Sequence, residues 1–210
     1  MKPSLSSTLG TGVVVPVRGF LSGKQRLGVL LDPKERADLL AGMADRVAAA
    51  AGARPVSVVT SAPEVIRWAE QHGLTVLPDP GRLDDAAHAG VAWARARGLT
   101  RVVIAHADLP FAEDLGVVTS DGSRPVAVAV PCHRDDGTPV LSLPVDAAFR
   151  FAYGPGSFRR HAAEARRLGL GWRVVRDPRL SRDVDRPEDL LGLDLSYDLR
   201  TRFQRVPVAG

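Results

Sequence analysis

Cysteine is almost missing from this 210-residue chain: Cys132 stands alone, so no intrachain disulfide can form. A reducing setting, the cytoplasm, is therefore expected. Lysine is nearly as scarce, with Lys2, Lys24 and Lys34 the only three among 28 basic residues. No apolar run approaches the roughly 18 residues that a membrane span requires. The start, Met1–Gly12, is polar and Ser/Thr-rich and lacks the apolar centre of a signal peptide. The histidines (72, 88, 106, 133 and 161) follow no metal-ligand spacing. His-Glu-x-x-His, Cys-x-x-Cys and Gly-x-Ser-x-Gly are all absent. These gaps argue against a membrane protein, a disulfide framework, a zinc site and a serine-hydrolase elbow. The net charge of +4 comes without a basic helix or interleaved aromatic and basic residues. It suits a small anionic substrate rather than nucleic acid.

What is present is ordinary globular material, 45% hydrophobic and 25% charged. The expected organisation is a flexible N-terminus over 1–11, one domain over 12–195 and a polar, basic tail over 196–210. Gly12–Val17 reads as a first strand. Asp32, Pro33 and Glu35 then open a helix as N-cap, N1 and N3 of a capping box. Strands are expected at Val56–Thr60, Leu74–Leu77 and Arg101–Ala105, with helices at Pro63–His72 and Asp84–Arg97 between them. Trp68 and Trp93 fall within those helix patterns as core residues. Alternating strands and helices predict an α/β fold with a mostly parallel sheet. After residue 110 the pattern changes. Pro125–Val130 and Thr138–Leu143 read as an antiparallel hairpin or insertion. Ser157–Leu168 reads as a helix, Trp172–Arg176 as a strand and Pro187–Leu193 as a short helix.

Four places could carry chemistry. Val102-Val103-Ile104-Ala105-His106-Ala107-Asp108-Leu109-Pro110 is a buried strand that delivers one carboxylate to a sheet edge. Asp183-Val184-Asp185 is read as the end of another strand, bringing a second carboxylate to that edge. The pair would suit Mg²⁺, which takes one or two carboxylates and completes its shell with phosphate oxygens and water. Asp185 reads equally well as a helix cap. Lys24 and Arg26 lie in a loop between the first strand and the capped helix, where cations and backbone N–H groups bind phosphate. A surface loop is the alternative. This loop is not a P-loop, since Gly19 to Gly23 is one residue short and Gln25 follows the Lys. Nor is it a Rossmann fingerprint, because Gly10-x-Gly12 precedes the strand. Gly154-Pro155-Gly156-Ser157 offers a helix start with Ser157 as its cap, and Thr138 could add a hydroxyl. Asp79-Pro80-Gly81-Arg82-Leu83-Asp84-Asp85 is a turn into a helix that Asp84 or Asp85 would cap. A carboxylate there could also accept from guanine. Cys132 beside His133 reads as a packed cysteine rather than a nucleophile.

Together, Val14-Val15-Pro16-Val17, Lys24-x-Arg26-Leu27, His106-Ala107-Asp108-Leu109-Pro110, Gly137-Thr138, Gly154-Pro155-Gly156-Ser157 and Asp183-Val184-Asp185-Arg186-Pro187-Glu188-Asp189-Leu190 resemble the phospholactate/phosphoenolpyruvate guanylyltransferase family. The motif order matches from about residue 12 to 193. The resemblance implies a single-domain, Rossmann-like nucleotidyltransferase sheet of GT-A type. It implies transfer of GMP from GTP to the phosphate of phosphoenolpyruvate, 2-phospholactate or 3-phosphoglycerate, with pyrophosphate leaving. The setting would be biosynthesis of coenzyme F(420), with a downstream transferase taking the product. The implied nucleotide-binding residues are Pro16, Val17, Lys24, Arg26 and Asp84, with Lys24, Arg26 and Asp108 catalytic. Mg²⁺ would sit on Asp108 and Asp185, and the acceptor on Thr138, Gly154 and Ser157. Leu83-Asp84 stands where the family usually has Leu-Asn. Two alternatives stay open: a transferase of the same fold with another phosphorylated acceptor, or a nucleotide-binding protein without catalysis.

Overall fold

The apolar runs become the strands of one sheet. The computed structural model describes residues 10–120, 125–134 and 136–190. Residues 1–9 of the expected N-terminal segment, 191–193 of the expected last helix and the whole expected tail lie outside these. β1 (Thr11–Pro16), β2 (Val56–Val59), β3 (Thr75–Leu77) and β4 (Arg101–Ala105) are mutually parallel. β5 (Val126–Val130) and β6 (Val140–Pro144) form the expected antiparallel pair, and β7 (Gly171–Val174) runs parallel to β5. The order is β3-β2-β1-β4-β6-β5-β7. β6 also runs antiparallel to β4, so it alone opposes the direction of the other six.

Alternate side chains along each strand feed two cores. Val13, Val15, Val103 and Ala105 face one side, under α1 (Pro33–Ala50) and α2 (Pro63–Gln71). Val14, Val102 and Ile104 face the other, under α3 (Leu83–Ala96) and α4 (Ser157–Arg167). Strands buried on both faces explain the unbroken Val/Ile runs. The α1 start is as read: Asp32 accepts from Lys34 N and Glu35 N, and Glu35 accepts from Asp32 N. Trp68 and Trp93 are buried. Among the described residues, no helix is long and apolar enough to cross a membrane.

Three local readings are corrected. Asp84 does not cap α3; Arg82 holds the cap position without a side-chain bond, and the Asp84 carboxylate accepts from Tyr153 N at 2.7 Å. Ser157 does not cap α4. Gly156 takes that position at φ +75°, where a side chain is disfavoured, and Ser157 becomes the first helical residue. No strand precedes Asp185: its segment follows a short helix, α5 (Pro178–Ser181), and leads into a 3₁₀ turn over Pro187–Leu190.

β1 is the switch point. The chain runs outward from it through β2 to β3, then returns to place β4 on its other side. Ligands bind outside the carboxyl ends of strands at such a point. Here those ends are Pro16 and Ala105. Packing beneath the switch point is tight where α3 crosses β1, since a Cβ on Gly90 would lie 2.4 Å from Val14 Cγ1. Gly90→Ala is expected to destabilise the fold by about 1–3 kcal/mol by overpacking. That is the net result after the gain of about 1 kcal/mol a helical alanine usually brings. A thermal melt checks it, and an unchanged or higher Tm would contradict the close approach.

Candidate active site

β1 ends at Pro16, and Val17 N still bonds to Val59 O. The chain then leaves the sheet through Arg18–Gly23. Glu64 of α2 steadies this loop by accepting from Phe20 N at 3.2 Å and Leu21 N at 3.4 Å. Gly23 is required there, because a Cβ would sit 2.9 Å from Gly19 O. Lys24 follows in the left-handed region, φ 51° and ψ 44°, the only non-glycine residue with positive φ among the described residues. Such a conformation costs roughly 1–3 kcal/mol and marks functional sites. It turns the Lys24 side chain back over the sheet edge, where Nζ donates to both Asp108 Oδ2 and Asp185 Oδ1.

Asp108 reaches this point as read, three residues past β4. The ladder continues one step further through His106 N to Pro139 O. Asp185 arrives by a route the sequence did not suggest. Val184, fully buried, donates its N–H to Asp108 O at 3.1 Å, docking the 182–186 loop on the Asp108 backbone. Asp189 braces that loop by accepting from Asp185 N and Arg186 N, both at 2.8 Å, and from Arg134. Asp183 turns the other way, its Oδ1 3.3 Å from His133 Nδ1. It is therefore Asp185, not Asp183, that shares Lys24 with Asp108.

Burial alone would lower the Lys24 pKa, but the two carboxylates outweigh it and raise it. Burial pushes Asp108 up, yet Lys24 brings it below the usual carboxylate range. Burial, with Asp108 and Asp185 nearby, pushes Asp183 up. Asp108 Oδ1 is buried with no hydrogen-bond partner. An orphaned carboxylate oxygen beside a second carboxylate is an all-oxygen donor set that fits a hard divalent cation. Among the described residues no group of three or more His, Cys, Asp or Glu could hold a metal. Two carboxylates leave the rest of a shell to water and substrate oxygens.

A cleft of about 390 Å³ opens from Lys24 and Asp108 along the β1 end. Pro16 and Val17 line it, with Arg18, Lys24, His106 and Asp108. Arg18 reaches across the rim to Gly81 O at 3.2 Å. Two of the residues expected to bind nucleotide stand outside the lining of this cleft. Arg26 is exposed on the 3₁₀ turn Gln25–Val29 and is not a lining residue. Asp84 is spent on Tyr153, and Asp79 is the carboxylate-bearing residue of that turn that lines the cleft.

Thr138, Gly154 and Ser157 meet on the far side of His106. Thr138 Oγ1 and Ser157 Oγ are 3.2 Å apart, both 1% exposed. Gly154 makes the turn before them at φ +101°. The ring of His106 lies 5.4 Å from that of Tyr153, and Tyr153 lies 4.8 Å from His161. These rings join the cleft to the hydroxyl pair. Tyr153 and His161 were not among the expected site residues. One signal could have found His161: it stands four residues after Ser157, on the same helix face.

Cys132 is buried, its Sγ accepting from Gly137 N, which fits the packed reading.

The comparisons agree with this architecture. The family described as "Guanylyl transferase CofC like" matches residues 11–198. A phosphoenolpyruvate guanylyltransferase from Rubrobacter xylanophilus is 37% identical over 199 residues, covering 91% of this chain and 97% of that protein. A 3-phospho-D-glycerate guanylyltransferase from Phenylobacterium zucineum is 33% identical, covering 84% and 86%. A structure from Desulfovibrio desulfuricans G20, described as a nucleotide-diphospho-sugar transferase, superposes with a TM-score of 0.71 at 16% identity, covering 91% and 90%. That last likeness speaks to the fold. With the match running through every strand of the sheet, the chain belongs to the CofC-like guanylyl transferase family.

Proposed function

We propose that this protein joins GMP from GTP to the phosphate of a small phosphorylated carboxylic acid, releasing pyrophosphate. Phosphoenolpyruvate is the first candidate acceptor, with 3-phosphoglycerate and 2-phospholactate next. The observation that carries the reading is the Asp108–Lys24–Asp185 cluster at the switch point, with a buried hydroxyl pair beside it. Names of relatives at 33–37% identity support the same class.

An oxygen of the acceptor phosphate attacks the α-phosphorus of GTP. The bond from the α-phosphorus to the bridging oxygen breaks, and pyrophosphate leaves with that oxygen. Such transfers need alignment and neutralised charge rather than a covalent intermediate. The cleft over Pro16 and Val17 receives the nucleotide, with Asp79 facing the base side. Lys24 turns from the carboxylates to the phosphates, and exposed Arg26 adds a second cation at the outer edge. Asp108 and Asp185 would hold Mg²⁺, which when bound supplies neutralisation and polarisation of phosphate oxygens. Thr138, Gly154 and Ser157 hold the acceptor. In this reading the product feeds coenzyme F(420) assembly through a downstream transferase.

Pyrophosphate release by the purified protein, with each nucleoside triphosphate against each of the three acceptors, tests the reading. Release is expected with GTP and at least one acceptor. No release with any pair, with the downstream transferase present to draw off product, would overturn it.

A further inference from the structure

The buried line behind the hydroxyl pair has a direction that can be worked out. Ala152 N–H donates to His161 Nε2 at 3.1 Å, so that nitrogen carries no proton. His161 is 0% exposed, and burial, with Arg160 beside it, lowers its pKa to about 4. The ring is therefore neutral near pH 7, and its one proton sits on Nδ1. Nδ1 lies 3.1 Å from Thr138 Oγ1, so the imidazole donates and Thr138 accepts. The Thr138 hydrogen needs an acceptor in turn. Ser157 Oγ, at 3.2 Å, is the partner in reach among the described residues. The Ser157 hydrogen then has no acceptor among the described residues. Its oxygen sits at the first turn of α4, the positive end of that helix's dipole, which favours an anion.

We infer that His161 is a positioning residue that polarises the line His161→Thr138→Ser157, so that Ser157 presents a hydroxyl hydrogen to an anionic oxygen of the acceptor. This rests on the guanylyltransferase reading and deepens it. A site that only donates selects carboxylate or phosphate oxygens and disfavours ligand groups that must themselves donate. It also explains why a histidine, which can accept at one ring nitrogen while donating at the other, occupies a fully buried position.

Two measurements test the inference. Imidazole ¹⁵N shifts of the wild-type protein should show a protonated Nδ1 and a bare Nε2 on His161; the opposite tautomer would overturn it. In kinetics, His161→Leu should raise the acceptor KM by about tenfold, as expected for a lost hydrogen bond to a charged group, with the GTP KM changed less than about twofold. His161→Asn, whose amide N–H can still reach Thr138, should recover most of the loss. In a Ser157→Ala background, His161→Leu should add less than about twofold, because the line then has no end. Equal losses in both backgrounds would reduce His161 to packing and overturn the inference. Absence of turnover in the wild type would instead count against the transferase reading. Calorimetric binding of phosphoenolpyruvate to the same variants, read as Kd, then takes the place of KM.

Discussion

Asp108→Asn is expected to lower kcat for pyrophosphate release by about 10²–10³-fold, the usual cost of removing one preorganised electrostatic group. The substitution keeps size and shape and removes only charge. Asp108 is the largely buried member of the pair, its side chain 16% exposed against 46% for Asp185. Its charge therefore acts through protein, while that of Asp185 is partly screened by water. A neutral amide holds neither Lys24 nor a divalent cation strongly, and half-exposed Asp185 is left to do both. Asp185→Asn should consequently cost less than Asp108→Asn. The fold should survive, because Val184 docks on the Asp108 backbone rather than on its side chain. Steady-state kinetics with a parallel thermal melt checks the claim. A loss under tenfold with an intact melt would remove Asp108 from the reacting centre.

Local chemistry made much of this fold readable. Asp32-Pro33-Glu35 announced α1 through backbone capping, which depends on near neighbours alone. Val102–Ala105 announced β4 because a strand covered on both faces has no polar alternation. The β5–β6 hairpin was legible from its polar turn, but its place in the sheet was not. β6 inserts between β4 and β5, a choice made by packing rather than by the turn. The errors have the same origin. Asp84 and Ser157 both looked like caps, since an acid or a serine near a helix start usually is one. Tertiary partners far along the chain, Tyr153 and Thr138, took their side chains instead. Asp185 stands beside Lys24, but not by the strand end that the sequence suggested. Its loop is carried there by the buried Val184 and the brace of Asp189, contacts that no spacing rule encodes. Arg26 looked equivalent to Lys24 two residues earlier. The left-handed turn at Lys24 aims only that residue inward, and a positive φ on lysine has no sequence signature.

Lys24→Met should lower kcat by about 10²–10³-fold and yet strengthen binding of a divalent cation to the nucleotide-free protein. The two effects have opposite signs because the Lys24 ammonium stands where the two carboxylates converge. A cation taking both carboxylates displaces it, so the wild type binds the cation in competition with its own side chain. Methionine retains the length and apolar stem but not the charge. Removing the competitor should raise Mn²⁺ affinity, read by electron paramagnetic resonance, several-fold. In chelator the same variant leaves Asp108 and Asp185 facing each other without a countercharge. Uncompensated like charges there should lower its Tm relative to wild type, and Mg²⁺ should restore most of the difference. Turnover would stay low even with the cation bound, since no ammonium remains to move onto the phosphates. A variant that loses cation affinity together with turnover would show that Lys24 helps build the carboxylate site instead of competing for it.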